Sequence, residues 1–395
     1  MTTVTFVMTT FWKRRVLPAF FKGYRIRFAG IRSLKHRLNT GQLSAKPGDD
    51  DIVAFWASNE AHCTKLRNLA RDLAARGIPV IRIEDAFIRS NGLGCNFFYP
   101  YSLALDRSGI YYDPSGPSDL ENILTSLRTR SDYQELRTRA DRLRRIVIDG
   151  GITKYRSGSR INPVHEVATL LRENPGKFDR VIFIPAQVDQ DASVVLGGLG
   201  YNNLSLIRRV RKDNPRALII VKIHPDVLSG LRNGFPEKDE LKHHVDFLCT
   251  DSYSPLDLAE IADEIHTMCS LTGFEALLRG KKVVCYGMPF YAGYGLTEDI
   301  CALDGNEIAV AARKRRANVI TDITDLVIGS LILYPRYFNW DTGCEASAEE
   351  VVSVLLNHPE GTRQNRIFRI RNQLYLLFRK CCTLTAGIAG QKRPD

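Results

Sequence analysis

Short apolar runs alternate with amphipathic stretches along most of this chain, and that alternation limits the fold more than any other feature of the sequence. The first two runs of strand type are residues 52–56 and 79–83, and the stretch 62–76 between them has a helical period and ends at Gly77. Strands that are separated by helices form parallel sheets, which helices cover on both faces. The sequence therefore predicts an α/β protein.

The alternation falls into two parts separated by Gly150 and Gly151. The first part continues with a strand and turn over 101–113 and helices over 118–129 and 131–148. The second part has predicted strands at 180–184, 217–222, 246–249, 264–268 and 282–286, and predicted helices at 201–212, 255–262 and 273–279. We therefore expect two Rossmann-like domains, 48–150 and 151–345, with a cleft between them.

Positive charge is concentrated at the two ends of the chain. The net charge is +11, but residues 1–40 carry nine basic and no acidic side chains, and residues 361–395 carry eight basic side chains and one acidic one. The body between them, 41–360, is therefore net −5. A nucleic-acid-binding protein normally carries its basic stripe across the folded body, so this distribution argues against a nucleic-acid partner.

Both basic ends also have apolar residues at a helical period, which predicts amphipathic helices in the segments 1–47 and 346–395. The first apolar stripe lies within residues 16–31, and the second comprises Ile367, Ile370, Leu374, Leu377 and Phe378. Basic amphipathic helices bind anionic membrane surfaces. The alternative is that each stripe packs on the body of the protein, with its arginines in solvent.

The compartment is predicted from three absences in the sequence. The nine cysteines have no CxxC spacing, no apolar run reaches the ~20 residues of a membrane span, and the N-terminal apolar stretch precedes its charges, unlike a secretory signal. We therefore expect a cytoplasmic protein.

Polar residues at the ends of predicted strands mark the candidate site, because doubly wound sheets bind their ligands there. The motif EDAFIRSNGLG, residues 84–94, supplies Glu84, Asp85 and Arg89. A carboxylate pair beside an arginine has the chemistry to activate a hydroxyl and hold an anion. The alternative is a surface loop in which Asp85 caps a helix and pairs with Arg89.

A second motif, IPAQVDQDAS, follows the strand 180–184 and contains Gln187, Asp189 and Asp191. Carboxylates in this position serve as nucleophiles, bases or metal ligands. Asp and Ser are equally favoured as ordinary helix N-caps. The motif alone leaves both interpretations open.

Two further motifs suit a phosphate. In VKIHPD, Lys222 and His224 follow a strand and can donate to phosphate oxygens, although a lone histidine is more often structural. In SLTGFEA, Ser270 and Thr272 lie at the start of a helix, whose N-terminus attracts anions.

The same SLTGFEA segment has a second interpretation. Glu275, one turn into the helix, is placed to reach the hydroxyls of a ribose, but a Ser/Thr cap followed by Glu is also a capping box. No GxxxxGK[ST] or GxGxxG pattern occurs, so the sequence gives no support to ATPase or nicotinamide chemistry.

The order of these motifs resembles a known family more closely than any single motif does. EDAFIRSNGLG, SLALDRSGIYYD, ITKYR, QVDQDAS, VKIHPDVLSGLR, SLTGFEALLRGKKVVCYGMPFYAGYGLTED and LVIGSLILYPRYFNWDTG resemble the KpsC-type capsule polysaccharide biosynthesis proteins over residues 52–343. Those proteins are retaining β-Kdo glycosyltransferases that use CMP-Kdo and act on a lipid-linked acceptor. The resemblance implies a GT-B-like architecture with an acceptor-side domain and a donor-side domain.

The resemblance also implies roles for the candidate residues in a double displacement. Asp191, with Asp189 as the alternative, would attack Kdo, and Glu84, beside Asp85, would take the proton of the acceptor hydroxyl. Arg89 would hold a Kdo carboxylate. The residues implied in CMP-Kdo binding are Gln187, Lys222, His224, Ser270, Thr272, Gly273 and Glu275.

The resemblance implies no metal and no cofactor other than the donor, and it implies a peripheral position on the inner face of the bacterial inner membrane. The better-known family members carry two such modules and this chain carries one, so we expect one type of β-Kdo linkage, or a partner among other capsule biosynthesis proteins. Two alternatives stay open: a transferase for another CMP-activated acidic sugar, such as a sialic acid, and a non-catalytic membrane-bound assembly factor.

Overall fold

The structure is a computed structural model, and it describes residues 1–43, 51–90, 98–154, 163–228, 235–236, 238–249 and 253–358, together with 367, 370, 373 and 374. Parts of several motifs lie outside these residues, namely 91–94 of EDAFIRSNGLG, Tyr155 and Arg156 of ITKYR, and 229–232 of VKIHPDVLSGLR. Leu377 and Phe378 of the second apolar stripe also lie outside them.

The described residues form thirteen strands and seventeen helices, together with short 3₁₀ and π-helical turns. The strands are β1 Thr3–Val7, β2 Arg25–Ala29, β3 Asp51–Trp56, β4 Val80–Asp85, β5 Ser102–Asp106, β6 Arg180–Pro185, β7 Ala217–Lys222, β8 Phe247–Cys249, β9 Glu264–Thr267, β10 Lys282–Cys285, β11 Glu298–Asp299, β12 Pro335–Asn339 and β13 Cys344–Ala346. The helices are α1 Phe11–Phe20, α2 Ile31–Asn39, α3 Ala57–His62, α4 Thr64–Ala75, α5 Asp119–Ser126, α6 Tyr133–Asp149, α7 Val164–Glu173, α8 Ala192–Gly197, α9 Asn203–Asp213, α10 Pro225–Leu228, α11 Lys238–Leu241, α12 Pro255–Ile261, α13 Leu271–Leu278, α14 Ile300–Leu303, α15 Glu307–Arg316, α16 Ile323–Val327 and α17 Ala348–Asn357. The predicted α/β class is confirmed.

The first sheet has seven strands in the order β13-β12-β5-β4-β3-β1-β2. Strands β2, β1, β3 and β4 are parallel, whereas β5, β12 and β13 each run antiparallel to a neighbour. The prediction of purely parallel sheets is therefore wrong here. The physical reason is that antiparallel neighbours need no crossover helix, and the described residues between β4 and β5, 86–90 and 98–101, contain none.

The second sheet has six parallel strands in the order β11-β10-β9-β6-β7-β8. Its neighbouring strands β6 and β7 each contain a continuous apolar run, and every residue of β7 is buried. Such continuous apolar strands are typical of a parallel sheet that is covered on both faces. The carboxyl ends of β6, β7 and β9 therefore lie at one edge of this sheet, and three of the sequence motifs follow these ends.

The predicted amphipathic helix over residues 16–31 is wrong. The segment contains the end of α1 and the edge strand β2, and Gly23, with a φ of 85°, separates them. The apolar side chains Leu17, Phe20 and Phe21 are almost completely buried against the first sheet. At this end of the chain, the apolar side chains therefore pack on the body of the protein, as the alternative interpretation expects. The segment 1–43 contributes strands β1 and β2 to the first sheet.

The chain returns to the first sheet after it has completed the second one. Tyr334 donates a hydrogen bond of 2.8 Å to Asp106, and β12 pairs with β5. The buried guanidinium of Arg316 donates to Glu121 of α5 at 3.2 Å and to the backbone oxygens of Pro289 and Ala292. These contacts fix the second sheet relative to the first, while the GT-B-like arrangement and the domains 48–150 and 151–345 stay predictions.

The C-terminal end is described at four positions only. Ile367, Ile370 and Leu374 are helical there, and each side chain is at least half exposed. Within the described residues, no helix combines the length and the apolar character that crossing a membrane requires.

Candidate functional site

A cavity of about 1320 Å³ lies where the carboxyl ends of strands from both sheets meet. The predicted residues that line it are Glu84, Asp85, Arg89, Gln187, Asp191, Lys222, His224, Ser270, Thr272 and Glu275. Asp189 and Gly273 do not line it. The structure thus brings ten of the twelve predicted residues together around one space.

Glu84 is held in one orientation by three neighbours. The indole Nε1 of Trp56 donates to Oε1 of Glu84 at 2.6 Å, and the backbone N of Ser58 and the hydroxyl of Tyr112 donate to Oε2 at 3.3 and 3.4 Å. Burial raises the pKa of the Glu84 carboxyl, and the charge of Asp85 raises it further. A carboxyl with a raised pKa suits proton transfer near neutral pH.

Asp85 and Arg89 form an ion pair of 2.6 Å within the cavity wall. Arg89 is almost completely buried and also donates to Oγ of Ser90. The second oxygen of Asp85, Oδ1, is buried and has no hydrogen-bond partner among the described residues. The Asp85–Arg89 pair of the loop interpretation therefore exists, but it faces the cavity rather than the outer surface.

Lys13 is a cavity residue that the sequence interpretation assigned to a membrane-binding end. Its Nζ lies 3.4 Å from the centroid of the Trp56 ring. Burial lowers its pKa to about 8, although Glu84 and Asp85 partly offset this effect. The sequence contains a signal for this residue, because Lys13 comes soon after an apolar strand, as other candidate site residues do.

Asp191 and Asp189 have different surroundings. Asp191 lines the cavity at the N-cap of α8, where its Oδ1 accepts hydrogen bonds from the backbone N and the Oγ of Ser193. Asp189 is instead turned toward Asn203, whose backbone N and Nδ2 donate to it at 2.9 and 2.7 Å. The geometry therefore favours Asp191 over Asp189 as the residue that reaches a substrate.

Tyr112 lies between the two candidate catalytic carboxylates. Its hydroxyl donates to Glu84, its ring packs in one cluster with Ala192, and burial together with the charges of Glu84 and Asp191 raises its pKa well above the usual value. Tyr112 belongs to the motif SLALDRSGIYYD, but nothing in that motif indicates this contact, because it depends on how the two sheets meet. Glu84 of the first sheet and Asp191 beyond the second sheet thus face one space.

Lys222 and His224 follow β7 at the far wall of the cavity. Lys222 is buried, and Nδ1 of His224 accepts a hydrogen bond from the backbone N of Asp226 at 3.1 Å. That bond leaves the proton of a neutral ring on Nε2, which is then the donor atom. The two side chains supply a cation and a ring N–H to the same region.

The helix α13 begins beside them with Ser270 as its N-cap. Oγ of Ser270 accepts from the backbone N of Thr272, and the backbone N of Gly273 donates to the carbonyl of Ser270. A Cβ at Gly273 would lie only 2.3 Å from the Tyr291 hydroxyl oxygen, so this glycine allows close packing. The backbone N–H groups of Thr272 and Gly273 therefore already donate hydrogen bonds to Ser270 at the start of the helix.

Glu275 is buried one turn into α13, and it does not complete a capping box. Its Oε1 accepts from the backbone N of Lys154 at 3.0 Å, and burial raises its pKa to about 7. Gln187, which follows β6, connects that strand to the residue before Ser270, because its Oε1 accepts a hydrogen bond from the backbone N of Cys269 at 3.0 Å. Both side chains shape the cavity beside Ser270.

One interpretation of the motif IPAQVDQDAS is that its carboxylates bind a metal ion. Within the residues that the structure describes, no group of three or more His, Cys, Asp or Glu side chains is arranged to hold a metal ion. The expectation that no metal and no further cofactor is needed stays a prediction.

Comparisons with known proteins support the family that the order of the motifs indicates. Residues 51–337 match the family of capsule polysaccharide biosynthesis proteins. The capsule polysaccharide modification protein LipA of Neisseria meningitidis serogroup A is 38% identical over 355 residues, which are 90% of this chain and 45% of LipA. The lipopolysaccharide-processing protein LpsZ of Rhizobium meliloti is 33% identical over 89% of this chain and 73% of its own length.

Solved structures add the fold. The β-Kdo 2,7 transferase of Thermosulfurimonas dismutans KpsC is 32% identical with a TM-score of 0.67, over 90% of this chain and 99% of that one. The β-Kdo 2,4 transferase of the same KpsC is 28% identical, also with a TM-score of 0.67, over 90% and 98% of the two chains. The chain spans about half the length of LipA, and it belongs to the family of capsule polysaccharide biosynthesis proteins.

Proposed function

We propose that this protein is a glycosyltransferase that moves Kdo from CMP-Kdo to a hydroxyl of a Kdo-primed glycolipid, with retention, to form a β-Kdo linkage. The observation that carries the proposal is that Asp191 and Glu84, from opposite walls, line one cavity together with Lys222 and His224. The similarity to two transferase modules of KpsC, each described as a β-Kdo transferase, supports the choice of sugar.

In the first step, a carboxylate oxygen of Asp191 attacks C2 of Kdo, and the bond from C2 to the phosphate oxygen of CMP breaks. The phosphate takes that electron pair, so charge grows on it as the bond breaks. Lys222 and the Nε2–H of His224 are the groups that stabilise this charge. The product of the step is a Kdo ester of Asp191.

In the second step, an acceptor hydroxyl attacks C2 and the ester bond to Asp191 breaks. Glu84 takes the proton of the hydroxyl, and the hydrogen bonds from Trp56 and Ser58 stabilise its carboxylate form until then. Two inversions at C2 give net retention. Kdo carries a carboxylate of its own, and Arg89, which lines the cavity, contributes positive charge for it.

The acceptor is expected at a membrane. The exposed side chains Ile367, Ile370 and Leu374 support peripheral binding to an anionic membrane surface through the C-terminal end. At the other predicted basic end, the apolar side chains Leu17, Phe20 and Phe21 are packed against the first sheet and do not support membrane binding.

A donor panel tests the proposed function. Purified protein is given a fluorescent β-Kdo glycoside and either CMP-Kdo, CMP-N-acetylneuraminic acid or UDP-N-acetylglucosamine, and the products are separated by mass. We expect one added Kdo with CMP-Kdo only. Turnover of another CMP-sugar without any turnover of CMP-Kdo would favour the sialic acid alternative, and no turnover of any donor would favour the non-catalytic one.

A further inference from the structure

The cavity contains a half-buried cation that the proposed mechanism does not use. Lys13 lies on α1, directly after β1, and it lines the cavity beside the predicted acceptor-side carboxylates. In the described part of the chain, its ammonium makes no hydrogen bond and no ion pair. It lies over the rings of Trp56 and Trp12 and near the charges of Glu84 and Asp85. A cation that lines a cavity and has no hydrogen-bonding partner of its own is available to an anionic ligand.

The first sheet explains why Lys13 lies there. Strand β1 pairs in parallel with β3, and β3 pairs in parallel with β4, so the three carboxyl ends are neighbours. Lys13 follows the first of these strands, Trp56 ends the second, and Glu84 lies near the end of the third. The indole of Trp56 therefore contacts Lys13 through its face and Glu84 through its Nε1.

The other cations of the cavity are differently engaged. Arg89 is paired with Asp85, and Lys222 and His224 lie at the end of β7, where the proposed mechanism needs them for the phosphate of the donor. Lys154 also lines the cavity, and its charge acts on both Glu84 and Glu275. Lys13 is on the same wall as Glu84, the group that would accept the proton of the acceptor hydroxyl. An anion that Lys13 binds there belongs to the acceptor.

We propose that Lys13 is a specificity-determining residue, which binds the carboxylate of an acidic sugar at the acceptor end. This inference rests on the proposed function, because that function assigns Glu84 to the acceptor. The face of the Trp56 ring positions the ammonium through a cation–π contact. Charge and ring together select a sugar with a carboxylate over a neutral one.

The test compares two acceptors that differ in charge only: a fluorescent β-Kdo glycoside and the same glycoside with its carboxylate converted to the carboxamide. Binding of each to full-length protein is measured by calorimetry without donor, and transfer from CMP-Kdo is measured separately. The proteins are the wild type, Lys13→Met, Lys13→Arg and Arg15→Met. Arg15 is the matched control, because it is exposed on the same helix and lies against Phe11 rather than in the cavity.

We expect the wild type and Arg15→Met to bind the carboxylate glycoside at least tenfold more tightly than the carboxamide. Lys13→Met should lose that preference, and Lys13→Arg should recover most of it. A preference that is unchanged in Lys13→Met, or an effect of this variant on the KM of CMP-Kdo instead, would overturn the inference. Circular dichroism confirms that the variants are folded.

The binding measurement distinguishes a failure of this inference from a failure of the proposed function. A wild type that binds the carboxylate glycoside through Lys13 but transfers nothing from CMP-Kdo would refute the proposed function alone. A wild type that transfers Kdo equally well to both glycosides would refute the role of Lys13 alone.

Discussion

The indole Nε1 of Trp56 donates a hydrogen bond of 2.6 Å to Oε1 of Glu84, and the face of the same ring lies 3.4 Å from Nζ of Lys13. One side chain at the end of β3 therefore connects a carboxyl with a raised pKa to an ammonium with a lowered pKa. Mutation can therefore separate the hydrogen bond that Trp56 donates to Glu84 from the contact that its ring makes with Lys13.

Trp56→Phe should shift the pH dependence of transfer. Phenylalanine keeps an aromatic face for Lys13 but removes the N–H that stabilises the ionised Glu84, so the pKa of Glu84 rises further. Because the second step needs the carboxylate form, the acidic limb of kcat/KM should move to higher pH by about one unit, given ~1.5 kcal/mol for a hydrogen bond to a charged group. A pH series of transfer rates measures this.

Trp340→Phe is the control for that series. Its Nε1 donates to the backbone oxygen of Pro100 at 2.9 Å, and it does not line the cavity. The same shift of the acidic limb in both variants would show that Trp56 acts through stability and not through Glu84.

Asp191→Ala should abolish transfer while CMP binding persists, because the carboxylate that forms the ester is lost and the groups for the phosphate remain. Wild-type protein mixed with CMP-Kdo and no acceptor should carry a Kdo-sized adduct, which peptide mass spectrometry locates. We expect it on Asp191, which lines the cavity, and not on Asp189, which is bonded to Asn203. An adduct on Asp189 would reverse the assignment, and full activity in both single alanine variants would end the double-displacement proposal.

Glu275→Gln should make the protein more stable above pH 7 but weaken CMP binding. The pKa of this buried carboxyl is raised from 4.5 to about 7, so the folded state binds more protons and loses stability as the pH rises from about 4.5 to 7. That loss is on the order of 3 kcal/mol once the group is ionised, and glutamine removes it while still accepting from Lys154. Thermal melting at pH 5 and pH 8 should show a gain for the variant at pH 8 only.

Glu121→Ala should destabilise the contact between the two sheets. It leaves the buried guanidinium of Arg316 without its carboxylate, a change that typically costs ~3–5 kcal/mol. Asp132→Ala removes a carboxylate from an exposed pair with Arg130 and should leave the melting temperature unchanged. Equal melting temperatures for the two variants would contradict the importance of the Arg316 contacts.

Membrane binding should depend on the C-terminal end. Replacing Ile367, Ile370 and Leu374 by Ser should weaken co-sedimentation with phosphatidylglycerol vesicles by at least tenfold, since apolar burial contributes ~0.8 kcal/mol per methylene. Leu303→Ser, at an equally exposed leucine on α14, is the control. Unchanged binding of the triple variant would leave the membrane proposal without support.

The second sheet could be predicted closely because its strands are short apolar runs between polar residues. The expected strand 217–222 coincides with β7, and the expected 180–184 differs from β6 by one residue. The segment 16–31 was predicted as one helix because its apolar residues have a nearly helical period. In the structure they belong to a helix and a strand that face the same core, which periodicity alone does not distinguish.

The candidate site could be predicted where its residues lie at the end of a strand, as Glu84 and Lys222 do, or soon after one, as Asp191 does. It could not be predicted where it depends on which strands are neighbours. Lys13 lies beside Trp56 only because β1 inserts between β2 and β3, and Tyr112 lies near Asp191 only because α3 and α8 meet. Such long-range pairing is not encoded in local spacing.

The anomeric configuration of the product tests the central claim most directly. Protein is incubated with CMP-Kdo, in which Kdo is β-linked, and a β-Kdo glycoside acceptor, and the purified product is examined by NMR. The account predicts a single new Kdo residue in β linkage. A product with the new Kdo in α linkage would contradict the double displacement, and the absence of any Kdo product would contradict the proposed function itself.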